Sequence, residues 1–206
     1  MQEPGQELAG EGPPVEPRQA ATVIVLRGGD RTLEVLLGRR NPAARFMGGA
    51  WVFPGGAVDA HEGEGDEAHR LAAVREAEEE TGIRLPDPAA LVKFSRWITP
   101  PEVAIRFDTH FFLAELPPGQ DAEPDGHECV AVRWFTPRAA LEAGERGEIL
   151  LVFPTIKHLE QLARFASARE LLDWAADRVV EPVLPRIVMA GEVARVVLPG
   201  EPGYVA

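Results

Sequence analysis

Four glutamates within the stretch 75–80, REAEEE, are the residues of this chain best suited to chemistry. On an α-helix each residue advances about 100°, so Glu79 and Glu80 lie within roughly 60° of Glu76, whereas Glu78 points away to solvent. Like charges at this spacing oppose helix formation by about 0.2–0.5 kcal/mol per pair. Such a run is often only a solvated helix face. A hard divalent cation bound by carboxylate oxygens would offset the repulsion, and the spacing predicts a site for one.

The residues around this run favour the cation site over the solvated face. A glycine pair at 55–56 precedes it, and Gly82 follows where a left-handed residue is expected to end the helix. With Arg75 in front, the pattern resembles the Nudix box, G-x5-E-x7-R-E-U-x-E-E-x-G-U, where U is a bulky apolar residue. Ala77 is small for the first U. The positions that match one for one are Arg75, Glu76, Glu79, Glu80, Gly82 and Ile83.

The first glutamate of the box has two candidates. Counting forward from Gly56 gives Glu62, and counting back from Arg75 gives Glu67, so the box is split by five extra residues within 59–66. That stretch is rich in glycine and acids and can form a longer loop. Helical geometry places Glu67 about 180° from Glu76, which argues against a direct ligand there. Both glutamates remain candidates at this stage.

The resemblance implies hydrolysis of a nucleoside diphosphate linked to another group, X. It implies that Glu76, Glu79 and Glu80 bind one to three Mg²⁺ or Mn²⁺ ions. A backbone carbonyl of Gly55 or Gly56 would be a further ligand. Arg75 would orient Glu79, its neighbour at i+4, through a charge-assisted hydrogen bond.

The general base differs among Nudix families. Glu76 is the first candidate here, followed by Glu128 and Glu102, which both stand next to turn residues at the end of a predicted strand. His127 and His110 have pKa values suited to proton transfer. For each loop acid the alternative is a plain surface carboxylate, and for each histidine it is a structural role.

The segment before the glycine pair indicates the substrate. Residues 36–56, LLGRRNPAARFMGGAWVFPGG, resemble the additional motif of coenzyme A diphosphatases, L-L-T-x-R-(S/A)-x3-R-x3-G-x3-F-P-G-G. Gly38 replaces its Thr and Asn41 its Ser or Ala. This resemblance implies that coenzyme A is split into 3′,5′-ADP and phosphopantetheine. Arg40 and Arg45 would bind its phosphates, because a guanidinium fork binds phosphate oxygens two at a time, and Phe53 would lie at the substrate.

Other functions share most of this pattern. ADP-ribose, NADH and a nucleoside triphosphate are alternative substrates within the same family. A non-catalytic Nudix-like ligand sensor is an alternative of a different class. Such sensors usually lack a metal-binding glutamate, and this chain keeps all three, which favours catalysis.

Composition narrows the classes of partner. A chain of 206 residues with 45% hydrophobic residues can bury one sizeable core. A net charge of −12 argues against binding to a nucleic-acid backbone, which needs a basic face. The single cysteine, Cys129, excludes a disulfide framework. Neither a signal peptide nor a membrane-spanning apolar window is present, so a cytoplasmic protein without membrane contact is expected. Family habit suggests a homodimer.

The elements that must position these residues follow an α+β pattern. Strands are predicted from residue 20 and at 33–37, 51–53, 91–98, 105–114 and 130–135. Residues 54–56 are predicted to form a tight bend. A helix with Asp66 as N-cap is predicted to end before Gly82, with further helices at 137–144, 154–166 and 167–176 and a hairpin at 186–198. The resemblance implies an α/β/α sandwich in which a mixed sheet lies between helices and the box forms a loop–helix–loop. The predicted organisation is a flexible segment 1–18, a Nudix domain 19–150, and a helical extension with a hairpin, 151–206, packed on the same domain.

Overall fold

The computed structural model describes residues 13–190 and 193–205. Most of the segment predicted to be flexible lies outside the described residues, and its last residue, Arg18, begins the first strand. The strands are β1 (Arg18–Arg27), β2 (Glu34–Arg40), β3 (Ala50–Val52), β4 (Gly55–Ala57), β5 (Val92–Ile98), β6 (Phe107–Glu115), β7 (Cys129–Phe135), β8 (Leu150–Leu151), β9 (Pro182–Val183), β10 (Arg186–Ala190) and β11 (Val193–Val197). The helices are α1 (Gly65–Thr81), α2 (Pro137–Glu145), α3 (Phe153–Leu162) and α4 (Ala168–Ala176), with 3₁₀ turns at Ala60–Glu62 and Pro88–Ala90.

A mixed nine-stranded sheet forms the centre of the molecule. Its order is β8-β3-β2-β1-β6-β5-β9, and β4 and β7 pair in addition with β1 and β2. The predicted hairpin of β1 and β2 is present, with Leu26 opposite Val35. β1 also runs parallel to β6. Antiparallel hairpins and a parallel pair in one sheet confirm the mixed sheet.

Helices cover both faces of the sheet. Because side chains alternate along a strand, Val23 and Val25 of β1 pack toward α1, and Ile24 packs toward α3 and α4. The core on the first face includes Ala72, Ala73, Ala77 and Phe112. The core on the second face includes Phe111, Leu159, Leu162 and Leu171. This arrangement confirms the α/β/α sandwich.

Helix α1 ends as predicted but begins earlier. Gly82 follows it with a left-handed φ of 70°, and its N–H donates to the Glu78 carbonyl at 2.9 Å. Asp66 is not the N-cap, because the helix begins at Gly65 and Glu64 holds that position. The carboxylate of Asp66 instead accepts from Arg70 at 2.9 Å and pairs with Lys93 at 2.7 Å. Buried alanines let α1 approach the sheet closely: Ala68, Ala72, Ala73 and Ala77.

The glycine pair does not form the predicted bend. Gly55 and Gly56 belong to β4, which pairs antiparallel with β1, Gly55 opposite Thr22 and Gly56 opposite Ala21. The bend is at Pro54. A proline cannot donate to a strand ladder, whereas the two glycines after it can.

The C-terminal elements follow the prediction. α3 and α4 are present, and β10 and β11 form an antiparallel hairpin in which Ile187 is opposite Val196. Arg186 at its start pairs with Glu102 at 2.8 Å. The division into domains at residue 150 stays a prediction. Within the described residues, no helix has the length and apolar character needed to cross a membrane.

Candidate active site

An open cleft of about 420 Å³ lies over the sheet on the side of α3. Alternate residues of β1 and β6 form its wall, including Thr22, Phe107 and Phe111. Thr155 of α3 lies opposite. Of the residues singled out in the sequence, the cleft is lined by Arg40, Phe53, Gly55, Gly56, Glu76 and Glu128.

The glycine pair lets the carboxylates of α1 reach this cleft. A Cβ on Gly56 would lie 2.2 Å from Oε1 of Glu76, and a Cβ on Gly55 would lie 2.5 Å from the carbonyl oxygen of Ala21. The N–H of Gly55 donates to Oε2 of Glu80 at 3.1 Å. A Cβ at Gly55 would collide with backbone atoms of β1, so glycine is required there, whereas a Cβ at Gly56 would require the Glu76 carboxylate to move.

We expect Gly56→Ala to lower kcat by about 10²-fold, because the added methyl would displace the Glu76 carboxylate by about 1 Å or more. Activity and the melting temperature would be measured together. Gly29→Ala is the control, since Gly29 has φ 57° and no atom within 4 Å of the added methyl. The control is expected to lose stability without losing kcat. A Gly56→Ala protein with wild-type kcat would contradict the argument.

Arg75 joins three carboxylates and one carbonyl. Its Nε donates to Glu62 Oε1 at 2.9 Å, and Nη1 donates both to Glu76 Oε1 and to Glu79 Oε2 at 2.8 Å. Its Nη2 donates to the Ala57 carbonyl at 3.0 Å. The predicted hydrogen bond to Glu79 is thus present. The guanidinium links the 3₁₀ turn, β4 and α1 in one ion-pair network.

The structure decides between the two candidates for the first glutamate of the box. The Glu62 side chain is only 4% exposed and bonded to Arg75, while Glu67 is exposed on α1. Glu62 Oε2 also accepts from the N–H of Asp59 at 2.6 Å, which closes the 3₁₀ turn. The five extra residues therefore follow Glu62, and they leave its contact with Arg75 intact.

Glu80 is buried and Glu76 is partly buried, and both carboxylates have raised pKa values. Burial raises the pKa of Glu80 to about 7; the Gly55 N–H and Arg40 act to lower it, and the charges of Glu76 and Glu128 raise it. Burial likewise raises the pKa of Glu76, against the lowering effect of Arg75. Nη1 of Arg40 lies 4.0 Å from Oε1 of Glu80. The positive charge of Arg75 and Arg40 does not compensate for the burial that raises the pKa values of these two carboxyl groups.

Glu79 and Arg45 are exposed at the edge of the site. The Glu79 side chain is 59% exposed and held by Arg75. Arg45 is exposed in the loop between β2 and β3 and does not line the cleft. Glu78, expected to point to solvent, is exposed and pairs with Arg84 at 2.8 Å. Within the described residues, no three His, Cys, Asp or Glu side chains are already gathered as a metal cage.

The remaining proton-transfer candidates lie outside the cleft. Glu102 pairs with Arg186. His110 lies on the opposite face of β6 from Phe111 and stacks on His69 at 3.9 Å; burial lowers the pKa of His110 to about 4. His127 is exposed. Strand alternation predicts that His110 points to the opposite face from Phe107 and Phe111, but only the fold shows that the cleft lies on the face of the two phenylalanines, which the sequence interpretation did not assign to the site.

The two residues that depart from the coenzyme A motif, Gly38 and Asn41, each make specific contacts in the structure. A Cβ on Gly38 would lie 2.9 Å from Sγ of Cys129 on β7, so a threonine would not fit there without a shift. The Asn41 amide donates to the His127 carbonyl at 2.7 Å, and its oxygen accepts from the N–H of Ala43 at 2.9 Å. Asn41 therefore ties the Arg45 loop to the segment that carries Glu128.

Known proteins share this fold and this pattern. Acyl-coenzyme A diphosphatase NUDT19 of Homo sapiens is 35% identical over 124 residues, 58% of this chain and 33% of that protein. Putative nudix hydrolase 7 of Caenorhabditis elegans is 26% identical over 211 residues, 82% of this chain and 68% of that protein. The NUDIX hydrolase from Alicyclobacillus acidocaldarius superimposes with a TM-score of 0.68 at 27% identity, over 77% of this chain and 96% of that chain.

The curated relative from human is much longer than the matched region, since this chain spans about a third of its length. A family model described as the NUDIX domain matches residues 16–153, which include β1, the split box and every cleft-lining residue except Pro154 and Thr155. With this match, and with Arg75, Glu76 and Glu80 in the positions that the box requires, this chain belongs to the Nudix family.

Proposed function

We propose that this protein hydrolyses the diphosphate of a nucleoside diphosphate linked to X, in a reaction that depends on Mg²⁺ or Mn²⁺. The observation that carries the proposal is the pair of carboxylates formed by the buried Glu80 and the partly buried Glu76, beside a cleft that also contains Arg40. A diphosphate already bears negative charge on its oxygens, so its hydrolysis is accelerated mainly by cations and by positioning. Membership of the Nudix family supports the same reaction class.

The residues present fit a hard divalent cation. Mg²⁺ keeps several waters and is usually held by one or two carboxylates together with substrate phosphates, so a preformed cage of three acids is not required. Glu76 and Glu80 would hold the ion, with Glu79 and the backbone carbonyl of Gly56 as further ligands. Their raised pKa values support this assignment, because a bound cation would favour the ionised carboxylates. When bound there, such an ion would lower the pKa of a water molecule and would neutralise charge on phosphate oxygens.

The chain's own side chains would divide the remaining work. Arg75 holds Glu76 and Glu79 in place by charge-assisted hydrogen bonds. Arg40 lies 4.0 Å from Glu80 and lines the open cleft, where its guanidinium would bind phosphate oxygens. Glu76 and Glu128 both line the cleft and are the two candidates for the group that accepts the proton of the attacking water.

Coenzyme A or a derivative of it is our proposed substrate. The motif at 36–56 supports it, as does the 35% identity to a protein named acyl-coenzyme A diphosphatase. Arg40 would bind the diphosphate, and Phe53, which lines the cleft, would contact the substrate. Arg45 at the exposed edge would bind the more distant 3′-phosphate. ADP-ribose, NADH and nucleoside triphosphates are the competing substrates.

A substrate panel tests this proposal. Purified protein with Mg²⁺ or Mn²⁺ would be given coenzyme A, ADP-ribose, NADH and a nucleoside triphosphate, and the products separated by chromatography. We expect 3′,5′-ADP and phosphopantetheine to form fastest. Faster turnover of ADP-ribose or NADH would reject coenzyme A and keep the reaction class. Ligand binding without any turnover would identify a sensor.

We expect Arg40→Ala to raise KM about 10- to 100-fold, because one charge-assisted phosphate contact is lost. Arg39→Ala is the matched control, since Arg39 is exposed on the same strand and lies outside the cleft lining. Steady-state kinetics on the best substrate of the panel would measure both. Equal KM values for the two variants would show that Arg40 does not bind substrate.

A further inference from the structure

A second, apolar pocket lies beside the cleft. Its volume is about 80 Å³. Trp97, Val103 and Ile105, from β5 and the segment after it, form one side; Ile187 and Val196, which face each other across the C-terminal hairpin, form the other. None of the described residues that line it is charged. The pocket therefore suits an apolar group and offers nothing to a phosphate.

The pocket adjoins the cleft and shares part of its wall. Phe46, Met47, Thr99 and Pro154 border both spaces. Phe46 packs on Phe107 of the cleft wall, with ring centroids 5.8 Å apart. Met47 has a φ of 52°, an uncommon backbone conformation that the surrounding loop must maintain. A substrate bound at Arg40 and the glutamates could thus extend past these residues into the apolar pocket.

The C-terminal hairpin is anchored where it forms the pocket wall. Arg186 pairs with Glu102 at 2.8 Å, and the N–H of Ile187 donates to the same carboxylate at 3.4 Å. Arg186 also donates to the carbonyl of Val205 at 3.1 Å, and the Tyr204 hydroxyl donates to the carbonyl of Leu184 at 2.9 Å. These contacts hold Ile187 beside the segment that carries Ile105.

We propose that this pocket is a subsite for a short aliphatic chain at the far end of X, and that it limits the length of that chain. The proposal rests on the proposed function, with X an acylated phosphopantetheine. At roughly 10–15 Å³ for each water-sized group, the volume holds about five to eight heavy atoms. A chain of about six carbons fills it, and longer chains extend into solvent past Ile105, which is 37% exposed.

Direct binding tests the subsite without any catalysis. The Ile methyl groups would be labelled for NMR, and n-hexanol would be titrated into the wild-type protein. We expect shifts at Ile105 and Ile187, with much weaker shifts for hexane-1,6-diol, which would bury a second hydroxyl. Shifts confined to isoleucines outside the pocket, or none, would overturn the proposal.

Kinetics on thioesters of coenzyme A test the length limit. From acetyl to hexanoyl, kcat/KM is expected to rise about two- to fourfold per methylene and then to level off. Ile105→Asp is expected to reduce the ratio of hexanoyl to unacylated turnover to near one. Leu71→Asp is the control, because Leu71 is equally exposed, at 37%, but lies on the outer face of α1. The control should keep the wild-type ratio.

The two experiments separate the two proposals. If acylated and unacylated coenzyme A are both hydrolysed with the same kcat/KM at every chain length, the subsite is refuted and the proposed function stands. If no coenzyme A compound is hydrolysed while n-hexanol still shifts Ile105 and Ile187, the choice of substrate is refuted and the apolar site stands.

Discussion

Replacing Glu80 by glutamine is expected to lower kcat by at least about 10²-fold. The substitution keeps the size of the side chain and its hydrogen bond from Gly55, but removes the charge that would hold a cation. A catalytic cation contributes several kcal/mol of charge stabilisation, which corresponds to at least about two orders of magnitude in rate. Steady-state turnover of the best substrate at saturating Mn²⁺ would measure it.

Glu78→Gln is the matched control for this variant. Glu78 lies on the same helix, is exposed, and pairs only with Arg84 among its described ion-pair contacts. Its replacement is expected to leave kcat within about twofold of wild type, because exposed ion pairs contribute little. Full activity of Glu80→Gln would refute the assignment of Glu80 to the metal site.

The same Glu80→Gln substitution is expected to stabilise the metal-free protein above pH 7. Burial raises the pKa of Glu80 from 4.5 to about 7. Below pH 4.5 the carboxyl is protonated in both the folded and the unfolded state, so its ionisation does not change the free energy of unfolding. As the pH rises from 4.5 through 7, the free energy of unfolding of the wild-type protein falls by up to about 3 kcal/mol relative to that of the variant.

Melting temperatures at pH 4 and pH 8 would measure this difference. We expect the variant to melt above wild type at pH 8 in a chelating buffer, and the difference to be small at pH 4. Added Mn²⁺ should raise the melting temperature of wild type more than that of Glu80→Gln, since the cation binds the folded carboxylates. A variant less stable than wild type at pH 8 would contradict the raised pKa.

Arg75→Ala is expected to reduce both activity and stability. It leaves Glu62, which is 4% exposed, and Glu76 without their charged partner. Breaking a buried ion pair costs about 3–5 kcal/mol, and about 2–4 kcal/mol is expected here because the Arg75 side chain is itself 21% exposed. Loss of the group that orients the metal-binding carboxylates is expected to lower kcat/KM by a further factor of about 10–100.

Arg84→Ala is the control for this loss of a guanidinium. Arg84 is exposed and pairs with Glu78 at a similar distance, 2.8 Å, so only about 0–1 kcal/mol is expected. Urea unfolding and steady-state kinetics would compare the two variants. Equal free energies of unfolding would show that the Arg75 network contributes no more than a surface ion pair.

Local patterns in the chain predicted most of the helices and the longer strands, and the motifs predicted the reaction class. The 3.6-residue period predicted a helix with Glu76 and Glu80 on one face, and Gly82 predicted its end. Alternating and apolar runs predicted β1, β2, β3, β5, β6, β7 and the C-terminal hairpin to within a few residues, but not the short strands β4, β8 and β9. These signals are carried by residues close together in sequence, so each such segment favours its own helix or strand without contacts from the rest of the chain. The position of Asp66 shows the limit, since its carboxylate is taken up by Lys93, a residue that only the fold brings near.

Contacts across the fold decided the rest of the site. The choice of Glu62 over Glu67 required the path of the inserted loop, which returns Glu62 to Arg75 thirteen positions along the chain. The parallel pairing of β1 and β6 places Phe111 beside Thr22 on the face that forms the cleft, and His110 points to the other face. Glu102 pairs with Arg186, 84 positions along the chain, and does not line the cleft, which argues against proton transfer by Glu102. The same ion pair holds the C-terminal hairpin where Ile187 lines the apolar pocket.

The sequence by itself therefore determined the family and the helix that carries the carboxylates, while the arginines for phosphate binding stay a prediction. Only the tertiary structure decided which acids meet Arg75, which side chains face the cleft, and how the C-terminal hairpin extends it. The physical reason is that spacing within one helix or strand determines the direction of each side chain. Register, loop paths and ion pairs between distant segments depend on the packing of the whole chain.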